Sequence, residues 1–252
     1  DRVYEAADVS PSDVVFFAFS FGPFLGFWSA FDAATRRGNL AIPSGGLGSQ
    51  ARLQMMATNR ATVLCCTPTY ALRLGEVLAE QDASELGEIP LRKIIVAGEP
   101  GGSIPEVRPR IEALWPGARV FDHHGMTEVG PVTYETPQKP LSLSVIEEAY
   151  FAEILDRETE QEVQPGQRGE LVLTTLTRTA CPLLRYRTGD LVQKSWVESE
   201  DGRHHLCLEG GILGRVDEMV VIRGVNIYPT AIEKIIRGFP EVAEFQVTQT
   251  TR

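Results

Sequence analysis

The stretch Asp122-His123-His124-Gly125-Met126-Thr127-Glu128 sets two carboxylates, two imidazoles and a hydroxyl around one glycine. Thr127 and Glu128 offer oxygen ligands of the kind Mg²⁺ takes, alongside water and phosphate oxygens. Upstream lie two more turns of similar type, Thr67-Pro68-Thr69 and Gly98-Glu99-Pro100-Gly101-Gly102. Their glycines let a backbone approach a flat ligand closely. All three follow apolar runs that read as strands, and open parallel sheets bind ligands at the carboxyl ends of their strands. Any one of these turns is as readily an ordinary polar loop; the three together argue for a site. A stronger signal follows downstream. Arg185-Tyr186-Arg187-Thr188-Gly189-Asp190 joins two candidate strands, ahead of Gly214-Arg215-Val216-Asp217-Glu218 and then Ile222-Arg223-Gly224-Val225-Asn226-Ile227-Tyr228-Pro229. Each alone could be a charged hairpin, but chance does not account for their order behind residues 124–128.

Rival chemistries are weaker. Gly46-Leu47-Gly48-Ser49-Gln50-Ala51 matches the dinucleotide fingerprint between a candidate strand and a candidate helix. That fingerprint wants an acidic residue about 20 positions on, where the chain offers Cys65, Cys66, Thr67 and Pro68. The loop therefore reads as a turn, with an NAD-dependent oxidoreductase as a distant alternative. No G-x-S-x-G elbow supplies a hydrolase nucleophile. His204, His205 and Cys207 lack the C-x-x-C pair that would complete a zinc site.

The elements that must position these residues fall into two styles. Apolar runs at Val14 to Phe19, Leu40 to Ile42, Val63 to Thr67, Lys93 to Ala97 and Arg119 to Asp122 suit strands buried on both faces. Helical spacing separates them at Phe24 to Arg37, Ser49 to Asn59, Pro68 to Gln81 and Ser103 to Trp115. The last opens on a capping-box spacing, Ser103 with Glu106, but Pro109 inside it predicts a kink or a late start. This alternation predicts an α/β parallel sheet flanked by helices over residues 1–140. Short runs then dominate: Ala152 to Leu155, Gly169 to Thr175, Leu183 to Tyr186, Leu191 to Val197 and His204 to Leu208. They predict a small antiparallel, β-barrel-like subdomain over 141–213. A hairpin from Met219 to Ile227 about Gly224, then a short helix with Pro229 near its start, reads as the start of a small α+β C-terminal domain over 214–252.

Composition narrows the partners. The net charge is −10 with scattered basic residues, which argues against a nucleic-acid grip. No apolar run approaches the length of a membrane span. Nothing at the start reads as a signal peptide. The four cysteines read as reduced and the compartment as cytoplasmic. With Asp1 first and a β-rich run last, both ends read as cut.

On these motifs the chain resembles the acyl-adenylate-forming superfamily, within it the phenylacetate–coenzyme A ligase-like branch. Gly98-Glu99-Pro100 looks like that branch's adenine-binding turn, and His124 to Glu128 like the aromatic-Gly-x-Thr/Ser-Glu motif. Arg185 to Asp190 matches Tyr-Arg-Thr-Gly-Asp, and Gly214-Arg215-x-Asp217 the linker between large and small domains. The resemblance implies an AMP-forming acid–coenzyme A ligase using ATP, Mg²⁺ and coenzyme A. Gly98, Glu99 and Pro100 would form one wall of the adenine slot. Asp122, His123 and His124, leading into Gly125 and Met126, would form the other. Thr127 would bond the α-phosphate and Glu128 would hold Mg²⁺, the two residues of the catalytic set. Asp190 would take both ribose hydroxyls, Arg215 would sit near ribose and phosphate, and Asp217 would be the hinge. Arg223, Gly224 and Asn226 would face the coenzyme A tunnel in a second, rotated state.

The departures carry weight. Nothing before Val14 resembles the superfamily's Ser/Thr/Gly-rich phosphate loop, and its adenylation lysine falls beyond Arg252, so the isolated chain is expected not to turn over. His124 stands where many relatives have tyrosine, and Ser199 to Arg203 replaces a Cys-x-Cys-Gly-Arg stretch. The expected substrate is a small carboxylic acid, an aromatic one first. Phe21, Phe24 and Trp28 are candidates to line its pocket, or equally core residues. A homodimer is compatible with the reading. An acceptor other than coenzyme A, or a nucleotide-binding module without catalysis, remains the alternative.

Overall fold

The computed structural model describes residues 1–81, 86–198, 202, 204–216, 220–222, 225–227, 229–236, 238–239, 242 and 245–248. Five strands, β1 (Val14–Phe17), β2 (Leu40–Pro43), β3 (Val63–Cys66), β4 (Lys93–Val96) and β5 (Arg119–Asp122), form a parallel sheet in the order β2-β1-β3-β4-β5. Alternate side chains point to opposite faces of a strand, and both faces here are apolar. Phe16, Leu64, Ile94 and Val120 pack under α3 (Ser49–Thr58), α4 (Pro68–Ala79) and α5 (Arg108–Leu114) through Leu53, Met56, Leu74 and Ile111. Phe17, Val63, Cys65, Ile95 and Phe121 pack on the other face under α1 (Arg2–Ala6) and α2 (Leu25–Arg36) through Tyr4 and Ala34.

The helix starts follow local chemistry. Thr67 caps α4, its hydroxyl accepting from the Tyr70 amide at 3.3 Å, and Pro68 occupies the first turn, where its missing N–H costs nothing. The segment read as a helix from Ser103 takes the late start: α5 begins at Arg108, with Pro109 in its first turn. Ser103 does not cap it. Its hydroxyl donates to Asp122 Oδ2 at 2.6 Å instead.

Two short strands, β6 (Gly125–Met126) and β7 (Gly130–Pro131), form a hairpin beyond β5. Six antiparallel strands follow: β8 (Thr133–Thr136), β9 (Lys139–Val145), β10 (Tyr150–Leu155), β11 (Arg168–Thr175), β12 (Tyr186–Glu198) and β13 (His204–Arg215). Their order is β10-β11-β12-β13-β9-β8, around a core that includes Leu143, Ile154, Leu171, Val192 and Leu208. The sheet ends on β10 and β8, so among the described strands it is open rather than a closed barrel. The runs read as separate strands at Leu183 to Tyr186 and Leu191 to Val197 are corrected: Leu183 to Arg185 precede a single long β12. Irregularities in register between Leu191 and Lys194 let β12 bend without breaking. The expected hairpin and helix are β14 (Val220–Ile222), β15 (Val225–Ile227) and α6 (Pro229–Ile236). Among the described residues no helix is long and apolar enough to cross a membrane.

Candidate functional site

The carboxyl ends of β4 and β5 and the inner ends of β12 and β13 enclose a cavity of about 400 Å³, within the range of small-ligand sites. One wall is the turn after β4, with Gly98, Glu99 and Pro100; the opposite wall is Asp122, His123, His124, Gly125 and Met126. Asp190 from β12 and Arg215 from β13 complete it.

Each wall is held from behind. Glu99 accepts from the Thr69 amide at 2.8 Å and its hydroxyl at 2.5 Å, which ties the first wall to the start of α4, where a helix favours negative charge. At Gly102 the walls touch: a Cβ there would meet both Asp122 Cγ and Val96 Cγ2 at 2.5 Å, so only glycine fits. Burial pushes the Asp122 carboxyl up to about 7, against the Ser103 hydrogen bond that favours its ionised form. Burial, with the neighbouring His124, lowers His123 to about 4. That ring is neutral near pH 7.

Asp190 is buried and set by its own strand. Its amide donates to Thr188 Oγ at 3.0 Å, and Thr188 donates in turn to the Leu171 carbonyl at 2.9 Å. Arg215 Nη1 reaches Asp190 Oδ1 at 3.3 Å and the Thr188 carbonyl at 3.1 Å. The guanidinium lies directly over Gly189, where a Cβ would come within 2.8 Å of Arg215 Nη2. His124 Nε2 is 3.1 Å from Asp190 Oδ2, an ion-pair distance without hydrogen-bond alignment. Among the described residues, six buried side-chain polar atoms have no hydrogen-bond partner. Three belong to this cavity: His123 Nδ1, His124 Nδ1 and Asp190 Oδ2. Unmet polar capacity of this kind marks places that a ligand completes.

Thr127 and Glu128 sit apart from the cavity lining, exposed in the turn between β6 and β7. Arg178 holds the Glu128 carbonyl, and burial with the Glu128 carboxylate raises the Tyr186 phenol. The turn is thereby tied to the start of β12, four residues from Asp190. Asp217, Arg223 and Gly224 lie outside the described residues; Asn226 pairs with Val221 in the β14–β15 ladder. Among the described residues no group of three or more His, Cys, Asp or Glu side chains could hold a metal ion. His205 instead pairs with Glu147 at 2.9 Å, and Cys207 is buried.

Sequence reading missed Ser103, Ile104, Leu143, Gly210 and Ile212, which also line the cavity, as does Gly214 of the linker motif. The Gly46 to Ala51 loop follows the edge strand β2 and contributes nothing to the lining. Phe24 and Trp28 are 51% and 52% exposed at the start of α2, with the Trp28 ring tilted on Phe21 at 4.8 Å.

The model of the AMP-binding enzyme family matches residues 2–177. Phenylacetate-coenzyme A ligases of Thermus thermophilus and Pseudomonas putida are 33% and 31% identical over 96% of this chain. That of Escherichia coli K12 is 30% identical over 100% of it. The chain spans about half the length of these relatives, 54% to 56%. A solved 2-hydroxyisobutyryl-CoA ligase in the postadenylation state, in complex with 2-HIB-AMP, superposes with a TM-score of 0.86. It shares 32% identity over 95% of this chain and 51% of that one.

Proposed function

Because the chain belongs to the AMP-binding enzyme family and is similar to its phenylacetate-coenzyme A ligases, we propose that the protein joins a carboxylic acid to AMP, from ATP, and passes the acyl group to coenzyme A. One observation carries this reading: turns from two separate strand ends, together with Asp190 and Arg215, line a single cavity that holds three of the six orphaned buried polar atoms among the described residues.

The adenine would lie between Gly98–Pro100 and Asp122–His124. Asp190 presents two carboxylate oxygens, the acceptor set that a pair of ribose hydroxyls requires. Arg215, already on Asp190, would fix that carboxylate and lend positive charge toward the phosphate. Thr127 and Glu128, exposed beyond the cavity, would meet the phosphates. A single carboxylate such as Glu128 suits Mg²⁺, which commonly binds one or two carboxylates and takes its other ligands from water and substrate phosphates. Mg²⁺ there would neutralise phosphate charge opposing attack by an anionic acid. Asp217 would serve as hinge, and Arg223, Gly224 and Asn226 would face coenzyme A after rotation of the small domain.

For the acid, an aromatic ring is the first choice. The exposed faces of Phe24 and Trp28 stand on α2, which contacts β6 and β7 on either side of Thr127 and Glu128. The test is AMP binding by the complete protein and its Asp190→Ala variant, with formation of phenylacetyl thioester from ATP and coenzyme A measured alongside. Loss of about 2–3 kcal/mol of AMP affinity, about 30- to 150-fold, is expected. Undiminished affinity in the variant would remove the ribose assignment.

A further inference from the structure

Arg108 and Glu135 line no part of the cavity, yet their hydrogen bonds reach both of its walls. Arg108 opens α5 and Glu135 lies on β8; they are 7% and 2% exposed. The guanidinium meets the carboxylate side by side, Nη1 to Oε1 at 2.6 Å and Nη2 to Oε2, the fork-to-fork geometry that fixes direction as well as distance. The remaining capacity of both groups goes to backbone. Arg108 Nε donates to the Gly102 carbonyl at 2.7 Å, and Nη1 to the Val120 carbonyl at 3.2 Å. Glu135 Oε2 accepts from the Asp122 amide at 3.0 Å.

These backbone positions belong to different walls. Gly102 closes the turn that presents Gly98 to Pro100, and Asp122 opens the segment that presents His123 and His124. The two residues also meet directly: a Cβ at 102 would come within 2.5 Å of Asp122 Cγ, and Ser103 is bonded to Asp122 beside it. A buried ion pair is not needed for stability alone, since well-packed apolar residues often serve as well. Its placement here has another consequence. It joins a loop, a strand of the parallel sheet and a strand of the antiparallel sheet into one frame behind the cavity.

We propose that Arg108 and Glu135 are a positioning pair that sets the width and angle of the slot between residues 98–102 and 122–124, and so its preference among nucleotide bases. The proposal rests on the nucleotide reading above and adds to it two residues without contact to the ligand. Neither substitute can rebuild the frame. A lysine at 108 has a single compact ammonium and cannot hold Gly102 and both oxygens of Glu135 together. A glutamine at 135 keeps the shape but turns one acceptor into a donor facing a donor.

The experiment measures Kd for AMP and for GMP by titration calorimetry on the complete protein, its Glu135→Gln variant and its Arg108→Lys variant, with thermal unfolding of each. The expected result is folded variants whose AMP-over-GMP preference falls at least about fivefold, a change of about 1 kcal/mol in discrimination. A purely structural role would weaken both nucleotides alike, or neither. Equal weakening, or unchanged discrimination in a folded variant, overturns the proposal. Should Glu135→Gln not fold, Arg108→Lys decides; failure of both to fold assigns the pair to stability and also overturns it. Absence of AMP binding by the unaltered protein would instead refute the nucleotide reading, and this proposal with it.

Discussion

Asp122 is the point where the cost of building the site can be measured. In the folded chain burial raises its carboxyl from 3.8 to about 7. Below the lower value both folded and unfolded states carry the proton, and the group costs nothing. As pH rises, the unfolded chain releases its proton while the folded chain keeps it, so stability falls until pH passes the folded value. The gap of about three units corresponds to about 4 kcal/mol lost above pH 7, at about 1.4 kcal/mol per unit. An asparagine cannot ionise, and its carbonyl oxygen can still accept from the Ser103 hydroxyl. Asp122→Asn should therefore gain stability over the unaltered protein as pH rises. By pH 5 about one unit of the cost is already present, so the advantage should grow by about 2–3 kcal/mol between pH 5 and pH 8. Urea unfolding at the two pH values reads it directly. An identical difference between variant and parent at both values would show that Asp122 ionises freely in the fold and that the cavity floor is wetter than its burial implies.

Asp13 behaves in the opposite sense. Burial opposes its ionisation, but hydrogen bonds from the Ser10 amide, Thr62 and Arg92 outweigh it, bringing the carboxyl down to about 2. Its contribution is present above pH 4 and lost as pH falls toward 2. Asp13→Asn should cost about 1–2 kcal/mol at pH 7, discounted for the exposed Arg92 side chain, and only a small remnant of that near pH 2, as read by urea unfolding. Gly102→Ala forces a methyl against Asp122 and Val96, so unfolding should come about 1–3 kcal/mol sooner and AMP titration should show weaker binding. A variant with unchanged melting temperature would mean the walls can part without cost.

Much of this arrangement is legible in the residues. The five parallel strands follow from apolar runs closed by Thr67, Gly98 and His123, and their observed ends fall within two residues of the reading. The turns at 98–100 and 122–126 share one cavity because neighbouring parallel strands bring their carboxyl ends together, and the antiparallel pair β12–β13 carries Asp190 and Arg215 to it. What failed was non-local. Ser103 and Glu106 have the spacing of a capping box, but Asp122, nineteen residues away, takes the Ser103 hydroxyl. Leu143, Gly210 and Ile212 reach the cavity only through the register of β9 and β13, which no short window encodes. β12 was divided because Gly189-Asp190 reads as a turn, whereas the strand runs on through it and shifts register only between Leu191 and Lys194. The contact of His124 with Asp190 joins two motifs that sequence order keeps 66 positions apart.

The central claim is that one AMP moiety lies between the two strand-end turns with its ribose on Asp190. A crystal structure with AMP tests it most directly. The account predicts adenine density between Gly98–Pro100 and Asp122–His124, and both ribose hydroxyls within hydrogen-bonding distance of Asp190. AMP bound elsewhere on the chain, with this cavity left to solvent, would contradict it.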